Sequence, residues 1–103
     1  MRLKGRLPIV AIRSDSVGNE KSYLRDMLAP IDGDVLEIGC GDGRLTRKYA
    51  DLPRRIVGVD LPEALPRAGA EPLPKSVSLA AASGVSLPFP AGRFDCVVFS
   101  LSF

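Results

Sequence analysis

The sequence predicts an α/β fold built on a parallel sheet, and three observations carry that expectation. An apolar run, Val35-Leu36-Glu37-Ile38, stops on three glycines at alternate positions, Gly39, Gly41 and Gly43. A second run, residues 55–60, is rich in β-branched residues, follows after one helix length and closes on Asp60. Strand, glycine loop, helix and strand in that order make a βαβ unit, whose right-handed crossover sets the two strands parallel. A third run, residues 94–103, is apolar on both faces from Cys96 to Phe99, the pattern of a strand in the middle of a parallel sheet. At 103 residues, 46% hydrophobic and 25% charged, the chain holds at most one such domain.

The elements follow along the chain. Residues 1–18 read as a basic N-terminal extension with room for a short strand at 8–12. Residues 1–13 carry four bases and no acid, but no aromatic residue among them. That pattern reads as a solvated terminus, and no nucleic-acid partner is expected. Residues 19–29 predict a helix with Asn19 as N-cap and Tyr23, Leu24, Met27 and Leu28 on one face, stopped by Pro30. Gly33 marks a turn. Residues 43–52 predict a second helix, with Leu45, Tyr49 and Leu52 at i, i+4, i+7 and Pro53 at its end. Between 61 and 75, Pro62 suits a first helical turn, while Pro66 would remove a hydrogen bond and add a clash of about 3 kcal/mol, so one short turn is expected. Residues 76–81 are a third strand, residues 83–93 a loop and residues 94–103 a fourth strand.

Composition excludes several chemistries. With no histidine, there is no Ser-His-Asp or Cys-His nucleophile, no imidazole base and no histidine-rich metal site. The two cysteines, Cys40 and Cys96, lie far apart, which fits neither a zinc cage nor a disulfide framework and suits a reducing compartment. No run of 18 apolar residues predicts a membrane span. The N-terminus lacks the apolar core and small-residue site of a signal peptide, so a cytoplasmic location is the expectation.

The glycine loop is the densest signal. Without Cβ atoms, such a loop bends sharply and lets a ligand approach its backbone, while the following helix start aims free N–H groups into the same space. A nucleotide-like ligand is the natural occupant. The dinucleotide fingerprint G-x-G-x-x-G would require a glycine at position 44, where Arg44 stands.

Glu37-Ile38-Gly39-Cys40-Gly41-Asp42-Gly43 resembles motif I of the class I S-adenosylmethionine-dependent methyltransferases. Val57-Gly58-Val59-Asp60 is similar to the family's second strand with its terminal acid. Leu87-Pro88-Phe89-Pro90-Ala91-Gly92-Arg93-Phe94-Asp95 resembles the LPFxDxSFD segment of its small-molecule branch. The resemblance runs from about residue 20 to 103. It implies a Rossmann-like sheet in the order 3-2-1-4, with S-adenosyl-L-methionine as cofactor and methyl transfer to a small-molecule acceptor. It also implies that Gly39, Cys40 and Gly41 wrap the methionine part of the cofactor and that Asp60 takes the ribose hydroxyls. Glu37 would organise the loop and face the cationic end. Ser83 and Val85 would lie near the adenine, with Ser83 standing where the family commonly has an aspartate. Ala91 stands where it often has another. Ser100 and Ser102 fall at the strand end where acceptor-side residues are often placed, and Tyr23 lies on a helix that covers the cofactor in related enzymes. No Asn-Pro-Pro-Tyr-like segment stands at the fourth strand, so methylation of a base amino group has no support.

The family fold has seven strands, and the match covers its N-terminal cofactor-binding half, residues 19–103. In a four-stranded 3-2-1-4 sheet the apolar fourth strand lies at an edge without charge, proline or bulge. The sequence therefore predicts self-association through that strand or completion by a C-terminal half. Two other functions remain open at this point. One is an NAD(P)-binding domain, disfavoured by Arg44. The other is a non-catalytic remnant or interaction module.

Overall fold

The computed structural model describes residues 9–13, 19–82 and 92–101. Five strands and one helix follow in chain order: β1 (Ile9–Arg13), α1 (Asn19–Leu28), β2 (Asp34–Ile38), β3 (Arg55–Asp60), β4 (Val77–Ala81) and β5 (Cys96–Leu101). All four strand pairings are parallel, and the sheet order is β1-β5-β2-β3-β4. The part β4-β3-β2-β5 is the expected 3-2-1-4 arrangement.

The sheet differs from the expectation at one end. Ile9–Arg13 pairs with residues 97–101 of β5, so the strand expected at an edge is an interior one. Its two neighbours satisfy the backbone groups on both sides, which is why an uncharged, doubly apolar strand suits this place. The edge through which self-pairing was expected is occupied by β1. The short strand allowed for at 8–12 within the N-terminal extension is present as β1 and belongs to the sheet.

Alternation along each strand divides the core between two faces. Val10, Ile12, Val35, Ile56, Cys96 and Val98 face α1 and the segment after the glycine loop, meeting Leu24, Leu28, Leu45, Tyr49 and Ala50. Leu36, Val57, Val59 and Val97 pack on the other face with Phe94. Leu24 and Leu28 are fully buried, which favours docking of α1 by about 1.5–3 kcal/mol each. The predicted face of this helix is corrected in part: Tyr23 is 48% exposed and Met27 41%, and the buried stripe is Glu20, Leu24 and Leu28. Those three recur every four residues, the spacing of one helical face.

Residues 43–52 do not form the expected α-helix. One Arg47 N–H bond to the Gly43 carbonyl is followed by i→i+3 bonds and a short 3-10 turn at Thr46–Lys48. The expected spacing still buries Leu45 and Tyr49 and partly buries Leu52, but the tighter turn is held by side-chain contacts described below. The single turn expected near Pro62 is present as a 3-10 turn, Pro62–Ala64.

At the amino ends of β2 and β5 the chain is clasped. Asp34 N–H donates to Asp95 Oδ2 at 2.9 Å, and Asp95 N–H donates to the Asp34 carbonyl at 2.8 Å. The Asp34 carboxylate accepts from Arg54 at 3.0 Å and Arg93 at 2.5 Å. Burial pushes the Asp34 carboxyl up, but the two guanidinium groups together outweigh it and hold it below its ordinary range.

Candidate functional site

The glycine loop leaves the carboxyl end of β2 and is fastened to the end of β3. Gly39 and Cys40 N–H groups both donate to the Val59 carbonyl, at 2.9 and 3.2 Å. Gly41 N–H donates to Asp60 Oδ2 at 2.9 Å, and Leu61 N–H donates to Asp60 Oδ1 at 2.8 Å. Each carboxylate oxygen keeps a further lone pair for another donor.

Two glycines of the loop have different reasons to be glycine. Gly39 has φ +82°, and a Cβ there would lie 2.7 Å from the Ser100 carbonyl oxygen of β5. Gly41 has φ +54°, and a Cβ there would meet nothing within 4 Å. The first is a point of close packing between the loop and β5. The second borders open space, where a ligand has access to the backbone.

Cys40 turns its sulfur inward. Its Sγ would sit 2.9 Å from a Cβ on Gly58, so the bare backbone of β3 at that point makes room for it. Burial, then the negative charges of Glu37 and Asp60, push the Cys40 thiol up to about 12, so it remains a thiol near neutral pH. Cys40 thus shapes the loop through its backbone and its packing, not as a nucleophile.

Glu37 is fully buried on the face of β2 that α1 covers, between Gly58 of β3 and Val98 of β5 in register. Its Oε1 accepts from Thr46 Oγ1 at 2.9 Å and from the Tyr49 hydroxyl at 2.5 Å. Its Oε2 is the one buried side-chain polar atom without a partner among the described residues. Burial raises the Glu37 carboxyl above its ordinary range, opposed by the hydrogen bonds from Tyr49 and Thr46 and by the nearby Arg44 charge. Burial and the Glu37 carboxyl in turn push the Tyr49 hydroxyl upward, so it stays a donor.

A second acid ties α1 to the loop. Glu20, whose side chain is 1% exposed, accepts from Lys48 at 2.5 Å and from the Arg44 guanidinium. Arg25 adds a two-pronged pair to Asp51, at 2.7 and 3.0 Å. Beyond the loop, Arg47 donates to the Glu71 and Pro72 carbonyls at 2.8 and 3.0 Å. An open cleft of about 300 Å³ is lined by Asp42, Arg44, Arg47, Ala70 and Glu71. None of the expected cofactor residues lines it, and its arginines are already engaged, so the strand-end site is the better candidate.

The structure brings Glu37, Gly39, Cys40, Gly41 and Asp60 together at the carboxyl ends of β2 and β3. Ser83, Val85 and Ser102 lie outside the described residues. Ser100 meets the site through its backbone at Gly39. Around the loop stand Thr46, Tyr49, Glu20 and Arg44, for which the sequence carries no local signal of a role at the site. The spacing of Tyr49 marks it as core, which it is, but its hydroxyl is also the closest donor to Glu37.

Fold and site together define a parallel α/β domain whose glycine loop and strand-end acid lie side by side at the carboxyl ends of β2 and β3. The profile of a methyltransferase domain family matches residues 35–103, and the chain belongs to that family. It is 34% identical over 87 residues to nocamycin O-methyltransferase of Saccharothrix syringae, an alignment covering 77% of this chain and 31% of the relative. The chain thus spans about a third of that relative's length. No solved structure matches it. Among the described residues, no helix is long and apolar enough to cross a membrane, and no group of three potential ligand side chains is placed to hold a metal ion.

Proposed function

We propose that the chain is the S-adenosyl-L-methionine-binding portion of a methyltransferase that acts on a small-molecule acceptor. The observation that carries this reading is the loop between β2 and β3. It exposes backbone at Gly41, holds a carboxylate at Asp60 and keeps a buried carboxylate oxygen of Glu37 without a donor. These features fit a ligand with two ribose hydroxyls and a cationic end. Asp60 would accept from the hydroxyls as charge-assisted hydrogen bonds. Gly39, Cys40 and Gly41 would follow the methionine part with their backbone, and Glu37 would favour its positive charge. Ser83 and Val85 would lie near the adenine, as the resemblance to the family implies. When bound, the cofactor supplies a methyl group on a sulfonium, an electrophile that needs no protein nucleophile. The protein's share of the chemistry is orientation, setting the acceptor atom in line with the methyl group.

An NAD(P)-binding role is disfavoured by Arg44, whose side chain stands where the dinucleotide loop has glycine and is committed to Glu20. Calorimetric titration of the chain with S-adenosylmethionine, S-adenosylhomocysteine and NADH tests the proposal. Binding of the first two and not of NADH is expected. No heat and no thermal shift with either sulfur compound at millimolar concentration would refute it.

A further inference from the structure

The two oxygens of Glu37 are treated unequally. Oε1 takes two hydroxyl donors, Thr46 at 2.9 Å and Tyr49 at 2.5 Å, whereas Oε2 takes none. A buried carboxylate oxygen left without a donor is costly, so its persistence calls for a role. The local backbone explains how both donors reach one atom. Thr46–Lys48 is a 3-10 turn, and Tyr49 N–H closes onto the Thr46 carbonyl at 3.2 Å. In that geometry side chains three residues apart stack above each other. The α-helix expected from the sequence would set them about 60° apart around its axis.

We propose that Thr46 and Tyr49 are positioning residues of the cofactor site. By holding one oxygen of Glu37, they fix the orientation that keeps its other oxygen for a cationic donor of the bound ligand. The proposal rests on the S-adenosylmethionine reading, since that cofactor carries an ammonium group. Among the described residues, the charged and titratable groups around Glu37 are few. The loop contributes Arg44 and Cys40, the end of β3 contributes Asp60, and Tyr49 itself is the fourth. On β5 its neighbour is the apolar Val98, and the acid of α1, Glu20, is already paired with Arg44 and Lys48. Removing a hydroxyl from Oε1 removes support for the ionised carboxylate and frees its rotation. It leaves the apolar packing of Thr46 and Tyr49 in place.

The test uses Tyr49→Phe, Thr46→Val and Thr46→Ser in the full chain. S-adenosylhomocysteine affinity is measured by calorimetry across pH, and the Glu37 carboxyl is followed by carbon-13 NMR. Tyr49→Phe is expected to bind about tenfold more weakly near neutral pH, the loss of one charge-assisted hydrogen bond's support. Both its binding profile and the Glu37 resonance should titrate at higher pH than in the wild type. Thr46→Val should weaken binding, and Thr46→Ser, which restores the hydroxyl, should recover it. Folded Tyr49→Phe and Thr46→Val with wild-type affinity and unmoved titrations would overturn the proposal while leaving the cofactor reading intact. A folded wild-type chain that binds no S-adenosylhomocysteine would overturn the reading, and the proposal with it.

Discussion

Gly39 and Gly41 both lie in the left-handed region, yet substituting each by alanine should have opposite emphasis. An L-residue at φ +54° or +82° costs about 1–2 kcal/mol, and Gly→Ala recovers about 0.4–1 kcal/mol by restricting the unfolded chain. Gly41→Ala adds nothing further, because no atom lies within 4 Å of the new methyl. Its net loss should be about 1 kcal/mol or less. Gly39→Ala places that methyl 2.7 Å from the Ser100 carbonyl, a backbone atom of an interior strand that cannot swing aside. Overpacking of this kind adds about 1–3 kcal/mol, for a total near 3 kcal/mol. Urea unfolding followed by circular dichroism should therefore place the Gly39→Ala midpoint about 1 M below that of Gly41→Ala, for an m-value of about 1–3 kcal/mol/M. Calorimetry should show the reverse ranking where it is least confounded by stability. Gly41→Ala, still folded, should lose S-adenosylhomocysteine affinity because its methyl occupies the open space. Equal midpoints for the two variants would refute the contact argument, and full affinity in Gly41→Ala would show that the ligand does not approach there.

Three further outcomes follow from named contacts. Asp60→Ala should weaken S-adenosylhomocysteine binding by about 1.5–3 kcal/mol in calorimetry and Asp60→Asn by less, because the carboxylate offers charge-assisted bonds; equal affinity in Asp60→Ala would make this acid purely a brace for Gly41. The Asp34 carboxyl is held below its ordinary value of 3.8, so its stabilising contribution is complete above that pH and is lost as pH falls toward the lower folded value. Acid unfolding of Asp34→Asn should thus be flatter across that window than that of the wild type. Glu20→Gln should destabilise the fold by about 1–3 kcal/mol in thermal melts, discounted because Arg44 and Lys48 are 50% and 26% exposed and can rehydrate.

The sheet and the loop were legible because their signals are local. The runs at 35–38 and 55–60, with glycines between them, state their own conformation, and the structure places them side by side in register. β1 was harder to read. Four apolar residues from Ile9 to Ile12 are too short to display a period, and their partner lies in residues 97–101. Spacing reported the burial of Leu45 and Tyr49 and the partial burial of Leu52 but could not separate a 3-10 turn from an α-helix. On α1, hydropathy chose Tyr23 and Met27 over Glu20. The acid is nonetheless the buried one, since its partners Arg44 and Lys48 sit 24 and 28 residues away. The same limit applies at the site. Glu37 and Asp60 announce themselves as acids at strand ends, whereas the hydroxyls that serve Glu37 belong to residues whose spacing speaks only of the core.

The position of β1 also sets an order of assembly. β2, β3 and β4 are neighbours in the sheet and in the chain, so each can dock on the one before it as it emerges. β5 must instead slot between β2 and β1, and β1 has no strand to join until β5 is in place. Ile9 and Val97 meet only after nearly the whole chain between them has been arranged, and such distant pairings are slow to form. During synthesis β1 therefore leaves the ribosome well before β5, the strand it joins. In pulse-labelled refolding, the amides of Ile9–Arg13 and Cys96–Leu101 should gain protection together, after those of Asp34–Ile38 and Arg55–Asp60.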